Sequence, residues 1–194
     1  MSDLFEAFLP ALLAREGGQT FSDRPADRGG PTRWGITAAT LGGWRRLGRP
    51  ATALEVSLLG HDEAAAIYRG LYWHTPGFDQ VAVISPRIAE ELVDSGVNLG
   101  PAWPARWLQR GLNLLNMRGA WFADLVIDDD AGPKTRAALQ GLIQRRGQRQ
   151  VEDLVLKLLN GFQLARYVEI CEAGGPNGDQ EANIAGWLAQ RIGL

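Results

Sequence analysis

The chain has 194 residues, of which 45% are hydrophobic and 22% charged, with a net charge of −2. This ordinary globular mixture excludes a disordered chain and fits one compact unit or two small lobes. The near-neutral balance argues against a nucleic-acid partner, and no apolar run is long enough for stable membrane insertion.

In chain order, Leu4, Phe5, Phe8, Leu9, Leu12 and Leu13 recur at helical spacing. Pro10 interrupts them, which predicts a helix that is kinked or starts late, and Gly17-Gly18 supplies its stop. Glu16 lies four residues after Leu12 and three after Leu13, so it extends the apolar stripe instead of the polar face. A carboxyl group at such a position needs a reason. Residues 19–36 carry Pro25, Gly29, Gly30, Pro31 and Gly35 with little apolar content, the composition of a loop or a short twisted hairpin. Loops of this kind carry function more often than buried helices do.

Thr37 reads as the cap of the next helix, and Thr52 to Glu55 matches a capping box. Asp62 is read as the cap of a helix through Ile67, Tyr68, Leu71 and Tyr72. Ser85-Pro86 is a strong start signal for a helix with Ile88, Ala89, Leu92 and Val93 on one face, ending near Gly96. Trp103, Trp107 and Leu108 predict a helix to about Gly111, and Pro133 opens another through Ala138, Leu139 and Leu142. Val151, Leu154, Val155, Leu158, Phe162 and Ala165 mark the longest amphipathic helix. After the loop Gly174 to Gly178, residues Ile184, Trp187, Leu188 and Ile192 predict a terminal helix. Few stretches alternate with period two, so the reading is mainly α with one small Gly-rich hairpin. A soft boundary near residue 97 divides the chain into 1–96 and 97–194, with the Ser85 to Gly96 helix joining two lobes.

Cys171 is the one cysteine, which rules out an intrachain disulfide, and its apolar helical setting reads as packing. His61 and His74 have no ligand-spaced partners, so neither a metal nor a cofactor is expected. The arginines at 45, 46 and 49 and at 145, 146 and 149 read as solvated helix faces.

The stretch from Glu16 to Thr37 holds one carboxyl group on an apolar stripe, a second, Asp27, in a Gly-rich turn, and a hydroxyl, Thr32. Glycoside hydrolysis needs this inventory: one carboxylic acid to protonate the leaving oxygen and one carboxylate to stabilise positive charge or position water. Burial favours the protonated form, while solvent and amide donors keep the other ionised. Structural roles compete at each position. Glu16 is equally suited to pair with Arg15, Arg24 or Arg28, Asp27 to form a turn, and Thr32 to serve as a plain loop hydroxyl. Asp23 rivals Asp27.

Glu16-Gly17-Gly18, followed by Pro25-Ala26-Asp27-Arg28-Gly29-Gly30-Pro31-Thr32-Arg33-Trp34-Gly35-Ile36-Thr37, resembles the catalytic signature of glycoside hydrolase family 108. This family groups phage-type endolysins and secretion activator proteins. Ile67-Tyr68 with Tyr72-Trp73, and Asp94 to Gly100 containing Val97-Asn98, resemble its downstream elements. Asp130 to Thr135, Arg166-Tyr167 and Gly186-Trp187-Leu188 resemble its attached predicted peptidoglycan-binding region, so the likeness spans nearly the whole chain. Two departures stand out: Trp34 occupies a place where the family often has a small or polar residue, and Asp128-Asp129-Asp130 is unusually acidic.

The resemblance implies a lysozyme-like, two-lobed helical fold, with a catalytic lobe at 1–96 and a helical peptidoglycan-binding lobe at 97–194 packed on it. It implies cleavage of the bond from N-acetylmuramic acid to N-acetylglucosamine. Glu16 is carried over as the acid, with Asp27 and Thr32 as partners that orient a water, as in phage lysozymes, which would make the enzyme inverting. Trp34, Tyr72, Trp73 and Asn98 are the candidate substrate contacts, while Trp103, Trp107 and Trp187 read as core. Met1-Ser2-Asp3 is not a standard signal peptide. The expectation is therefore cytoplasmic synthesis, release through a holin-like partner, and action in the periplasm or cell wall. The competing readings are a non-catalytic wall-binding accessory for secretion and a component of a phage-like particle.

Overall fold

The computed structural model describes residues 4–16, 18–23, 30–173 and 181–192. It divides into two compact units, Met1–Leu71 and Tyr72–Leu194.

The first unit opens with α1, Leu4–Arg15, which buries Phe5, Leu9, Leu12 and Leu13. The helix runs through Pro10 from Leu4, so the late start that the proline allowed does not occur. Glu16 N–H still donates to Leu12 O at 3.1 Å, and Gly18 N–H closes the end onto Leu13 O at 2.9 Å. Two strands, β1 (Thr32–Arg33) and β2 (Ile36–Thr37), form a tight antiparallel hairpin. Ser22 adds an antiparallel bridge to Thr32, widening this small sheet.

Then come α2 (Ala38–Trp44), α3 (Ala53–Ser57) and α4 (His61–Tyr68). Thr37 caps α2 by accepting from Thr40 N–H, and Thr52 and Glu55 form the complete capping box of α3. The cap expected at Asp62 is instead Gly60: Asp62 lies within the first turn of α4, where its charge suits the helix dipole but its side chain makes no cap bond. Beyond α4 the backbone widens into a π-helical turn, Arg69–His74, where an uninterrupted α-helix was expected.

The second unit is built around α6, Pro86–Leu99, which packs against α5 (Phe78–Ala82), α7 (Ala102–Leu115) and α9 (Gln148–Ala173). Ser85 caps α6 and Pro86 occupies its first turn, but the helix continues past Gly96 to Leu99. Helix α7 likewise extends past Gly111 to Leu115. Helices α8 (Pro133–Arg146) and α10 (Glu181–Arg191) also pack on α9.

The buried line of α9 is Val151, Val155, Leu159, Gln163 and Tyr167. Phe162 is half-buried beneath the Arg110 guanidinium, and Ala165 is exposed, so the apolar stripe read from sequence is rotated from the true buried face. Several buried polar groups in this unit are matched, although Gln163 Oε1 has no hydrogen-bond partner. Arg191 pairs with Asp94 at 3.0 Å, and Ser85 Oγ donates to Glu152 at 2.7 Å. Burial alone would raise the pKa of Glu152, but donors on Ser85, Gln148 and Arg87 outweigh it and hold the pKa below the ordinary value. Trp107 is buried, whereas Trp103 lies half-buried between Arg106 and Arg166, and Cys171 is half-buried.

Candidate active site

The hairpin turn is Trp34-Gly35, with φ of +57° and +72°. Positive φ at both central residues is the signature of a type I′ turn, whose twist matches the flanking strands. A bulky residue in the first position costs roughly 1–2 kcal/mol. Three contacts offset that strain. Trp34 N–H donates to Gly18 O at 3.0 Å, Tyr68 Oη–H donates to Trp34 O at 2.8 Å, and the indole N–H donates to Leu59 O at 3.1 Å. The ring also meets His61 edge-on and is 7% exposed. The structure therefore turns Trp34 inward, as the peg that holds the turn, and leaves little of its face for a sugar.

Gly35 is a close neighbour of Glu16 in this arrangement. A Cβ on Gly35 would lie 2.6 Å from Tyr68 Oη and 2.7 Å from Glu16 Cβ. Only a residue with no side chain permits that approach. The outcome is that Glu16, at the end of the buried α1 stripe, is packed directly against the hairpin at Gly35, which the Tyr68 hydroxyl also approaches. Glu16 is half-buried.

Most other acids described in the first unit are committed elsewhere. Glu63 accepts from Nε and Nη2 of Arg45 at 2.8 and 2.6 Å, and that guanidinium holds its pKa down against burial. Arg49, with the Thr52 amide and hydroxyl, pushes Glu55 down to about 2. Glu6 pairs with Arg69, and Asp62 meets His61 at 3.1 Å. Asp23 is exposed. Thr32 Oγ1 donates to Gly30 O at 3.0 Å, while its backbone exchanges both hydrogen bonds with Ser22. Asp27 lies outside the described residues.

The first unit thus brings together Glu16, Thr32 and Trp34 around one hairpin. Tyr72, Trp73 and Asn98 belong to the second unit. Tyr72 is half-buried in the π-helical turn, and Trp73 is buried at 4% exposure. Asn98 Oδ1 accepts from Tyr167 Oη at 3.3 Å. Burial, the leading cause, raises that phenol to about 12, so it stays protonated as the donor. Sequence reasoning named Tyr68 as part of a helical pattern and of a family-like element, but its link to the Trp34 carbonyl depends on a tertiary contact. Gly35 was visible in the motif, but its packing against Glu16 was not. Among the described residues no group of three or more His, Cys, Asp or Glu side chains is arranged to hold a metal ion. No helix among them is long and apolar enough to cross a membrane.

A mainly helical chain with one small hairpin against a helix-terminal glutamate is of the lysozyme-like class. The solved structure of Brucella abortus SagA has the same fold: the TM-score is 0.67 at 24% identity, covering 97% of this chain and 93% of that one. Residues 9–100 match the model of the family described as glycosyl hydrolase 108, and residues 103–192 match a predicted peptidoglycan domain. The chain thus carries a glycosyl hydrolase 108 region followed by a predicted peptidoglycan domain. Its role is therefore peptidoglycan-related, in hydrolysis or binding. No curated protein matches it significantly.

Proposed function

We propose that this chain is an N-acetylmuramidase that cleaves the bond from N-acetylmuramic acid to N-acetylglucosamine, with Glu16 as general acid. The observation that carries the reading is the packing of Glu16, at the end of the buried α1 stripe, against Gly35 of the family's hairpin. In this mechanism Glu16 gives its proton to the glycosidic oxygen as the bond to the anomeric carbon breaks. Asp27, with Thr32, positions a water on the opposite face and takes its proton as the new carbon–oxygen bond forms. The result is inversion at the anomeric carbon. Residues 1–96 form the catalytic lobe in this proposal and 97–194 the wall-binding lobe, with Tyr72 and Asn98 as further substrate contacts; Trp73, buried like Trp34, serves packing instead. The place of action is the periplasm or cell wall, where the polymer lies, and release there is assigned to a holin-like partner.

The deciding experiment incubates the purified chain with insoluble peptidoglycan and measures soluble muropeptides and new reducing ends. Glu16→Gln is expected to lower the rate by roughly 10²–10⁴-fold with the melting temperature unchanged. Thr32→Ala should reduce rate more than stability. Undiminished release by Glu16→Gln would remove Glu16 from the chemistry, and sedimentation with the wall without products would favour the accessory reading.

A further inference from the structure

A cavity of about 880 Å³ lies in the second unit, lined by α8 and by the segment at 121–128. Its size falls in the range of small-ligand sites, roughly 300–1,000 Å³. Four of its lining residues, Lys134, Ala138, Gly141 and Arg145, are spaced by four, three and four along α8. That spacing puts them on one helical face. A cation stands at each end of this face, about 16 Å apart by helical rise. Between them lie two of the smallest side chains, and a Cβ on Gly141 would meet nothing within 4 Å. The opposite element contributes apolar surface, including Trp121, Phe122 and Leu125.

The charges of the cavity are unequally engaged. Asp128 accepts from Gln109 Nε2 and from Asp130 N–H, and Asp124 accepts from Asn116 Nδ2 at 2.8 Å. These carboxylates accept from neutral amides, on α7, at its C-terminal cap and in the loop's own backbone. Among the described residues Lys134 and Arg145 are in no ion pair; Arg145 lies 5.7 Å from the Trp121 ring. On its α8 side the cavity therefore offers two cations outside any ion pair, flanking an apolar, small-residue floor, while its two carboxylates stand on the opposite, loop side. Its complement is an extended ligand with carboxylates toward its ends and alkyl groups between.

In intact peptidoglycan the lactyl carboxyl of the sugar strand is tied up in an amide, which leaves the glycan neutral. The carboxylates sit on the peptide stem. We propose that this cavity binds the peptide stem of peptidoglycan, through Lys134 and Arg145, as a second wall-contact site separate from the Glu16 hairpin. The proposal rests on the peptidoglycan reading above, and it adds the part of the polymer that the second unit takes.

The test titrates the full chain by calorimetry with the glycan-free tripeptide L-Ala-γ-D-Glu-meso-diaminopimelate, and with the neutral oligosaccharide chitotetraose. Wild type should bind the tripeptide. Lys134→Glu and Gly141→Leu should each weaken it at least about tenfold, one by reversing charge and one by filling the floor, with melting temperatures preserved. Chitotetraose affinity should not move in either variant, and Glu16→Gln should leave tripeptide affinity intact. Absence of tripeptide binding in wild type, or unchanged affinity in either folded variant, would overturn the proposal. Failure of the muramidase reading is distinct: it shows as no Glu16-dependent reducing ends, whatever the tripeptide titration gives.

Discussion

The hairpin of the first unit and the 116–132 loop of the second solve the same problem by different means. Each is an irregular segment that must be held still beside a site. The hairpin is fixed mainly by backbone: positive φ at Trp34 and Gly35, bridges from Ser22, and the bond from Trp34 N–H to Gly18 O. The loop is fixed by side-chain amides on α7 and at its C-terminal cap. Asn116 bonds both the N–H and C=O of Phe122, Asn113 bonds both those of Leu125, and Gln109 accepts from Asp128 and Asp129 N–H. A backbone-held site tolerates almost no change at its glycine but many changes around it. A side-chain-held loop tolerates its own sequence but depends on a few amides on the helix beneath.

The largest effect expected from this contrast is at Gly35. Gly35→Ala would bring a methyl within 2.7 Å of both Tyr68 Oη and Glu16 Cβ at a φ of +72°. Strain and displacement together should destabilise the first unit by about 3 kcal/mol and shift Glu16 off its position. Denaturant unfolding should show the loss, and reducing-end release should fall even where the chain remains folded. A folded, fully active variant would mean that the hairpin and Glu16 are not coupled.

Next is Asn113→Ala, which leaves both the N–H and C=O of Leu125 without their partner. The expected loss is about 2 kcal/mol. Hydrogen exchange should locate it in the 116–132 loop, with the hairpin amides unaffected. Asn113→Asp keeps the acceptor for Leu125 N–H and should recover part of the loss. A variant that loosened both segments equally would erase the distinction between the two ways of pinning.

The same distinction explains what could be read without coordinates. Ser85-Pro86, the Thr52–Glu55 box and the Thr37 cap depend on residues a few positions apart, so their physics is local. Glu16 was conspicuous because a carboxyl on an apolar stripe violates the helical pattern, and that violation needs no tertiary information. Trp34 misled because its place in a Gly-rich loop suggested an open wall, whereas the indole is drawn inward by Leu59 O. The amide clamps were invisible because Gln109, Asn113 and Asn116 look like ordinary polar helix residues until the loop lies across them. Trp121 drew no attention for the same reason: its setting, under Arg145 and Arg146 beside the cavity, comes from the loop's return onto α8.

Glu152 carries the comparison to pH. Its folded pKa is held below the ordinary carboxylate value by Ser85, Gln148 and Arg87, despite burial. Its contribution to stability is then fully present above the unfolded pKa, about 4.3, and is lost as pH falls through the lower folded value. Glu152→Gln should melt below wild type at neutral pH, with the two melting curves converging as the solution is acidified. Parallel curves across that window would mean the contacts at Ser85 and Arg87 are indifferent to charge. The hairpin has no such dependence on Glu152, so hydrogen exchange should place the acid-sensitive loss in the second unit.

The smallest effect returns to glycine, now with the opposite sign. Gly141 lies inside α8, and a Cβ there meets nothing within 4 Å. Glycine inside a helix loses more conformational freedom on folding than alanine and has no steric reason to be present here. Gly141→Ala should therefore stabilise the chain, by about 0.5–1 kcal/mol, and raise the melting temperature slightly. The change that should break the hairpin at position 35 should thus strengthen the helix at position 141. A destabilised Gly141→Ala variant would show that something packs against this face of α8, and the cavity would have to be smaller than its present walls describe.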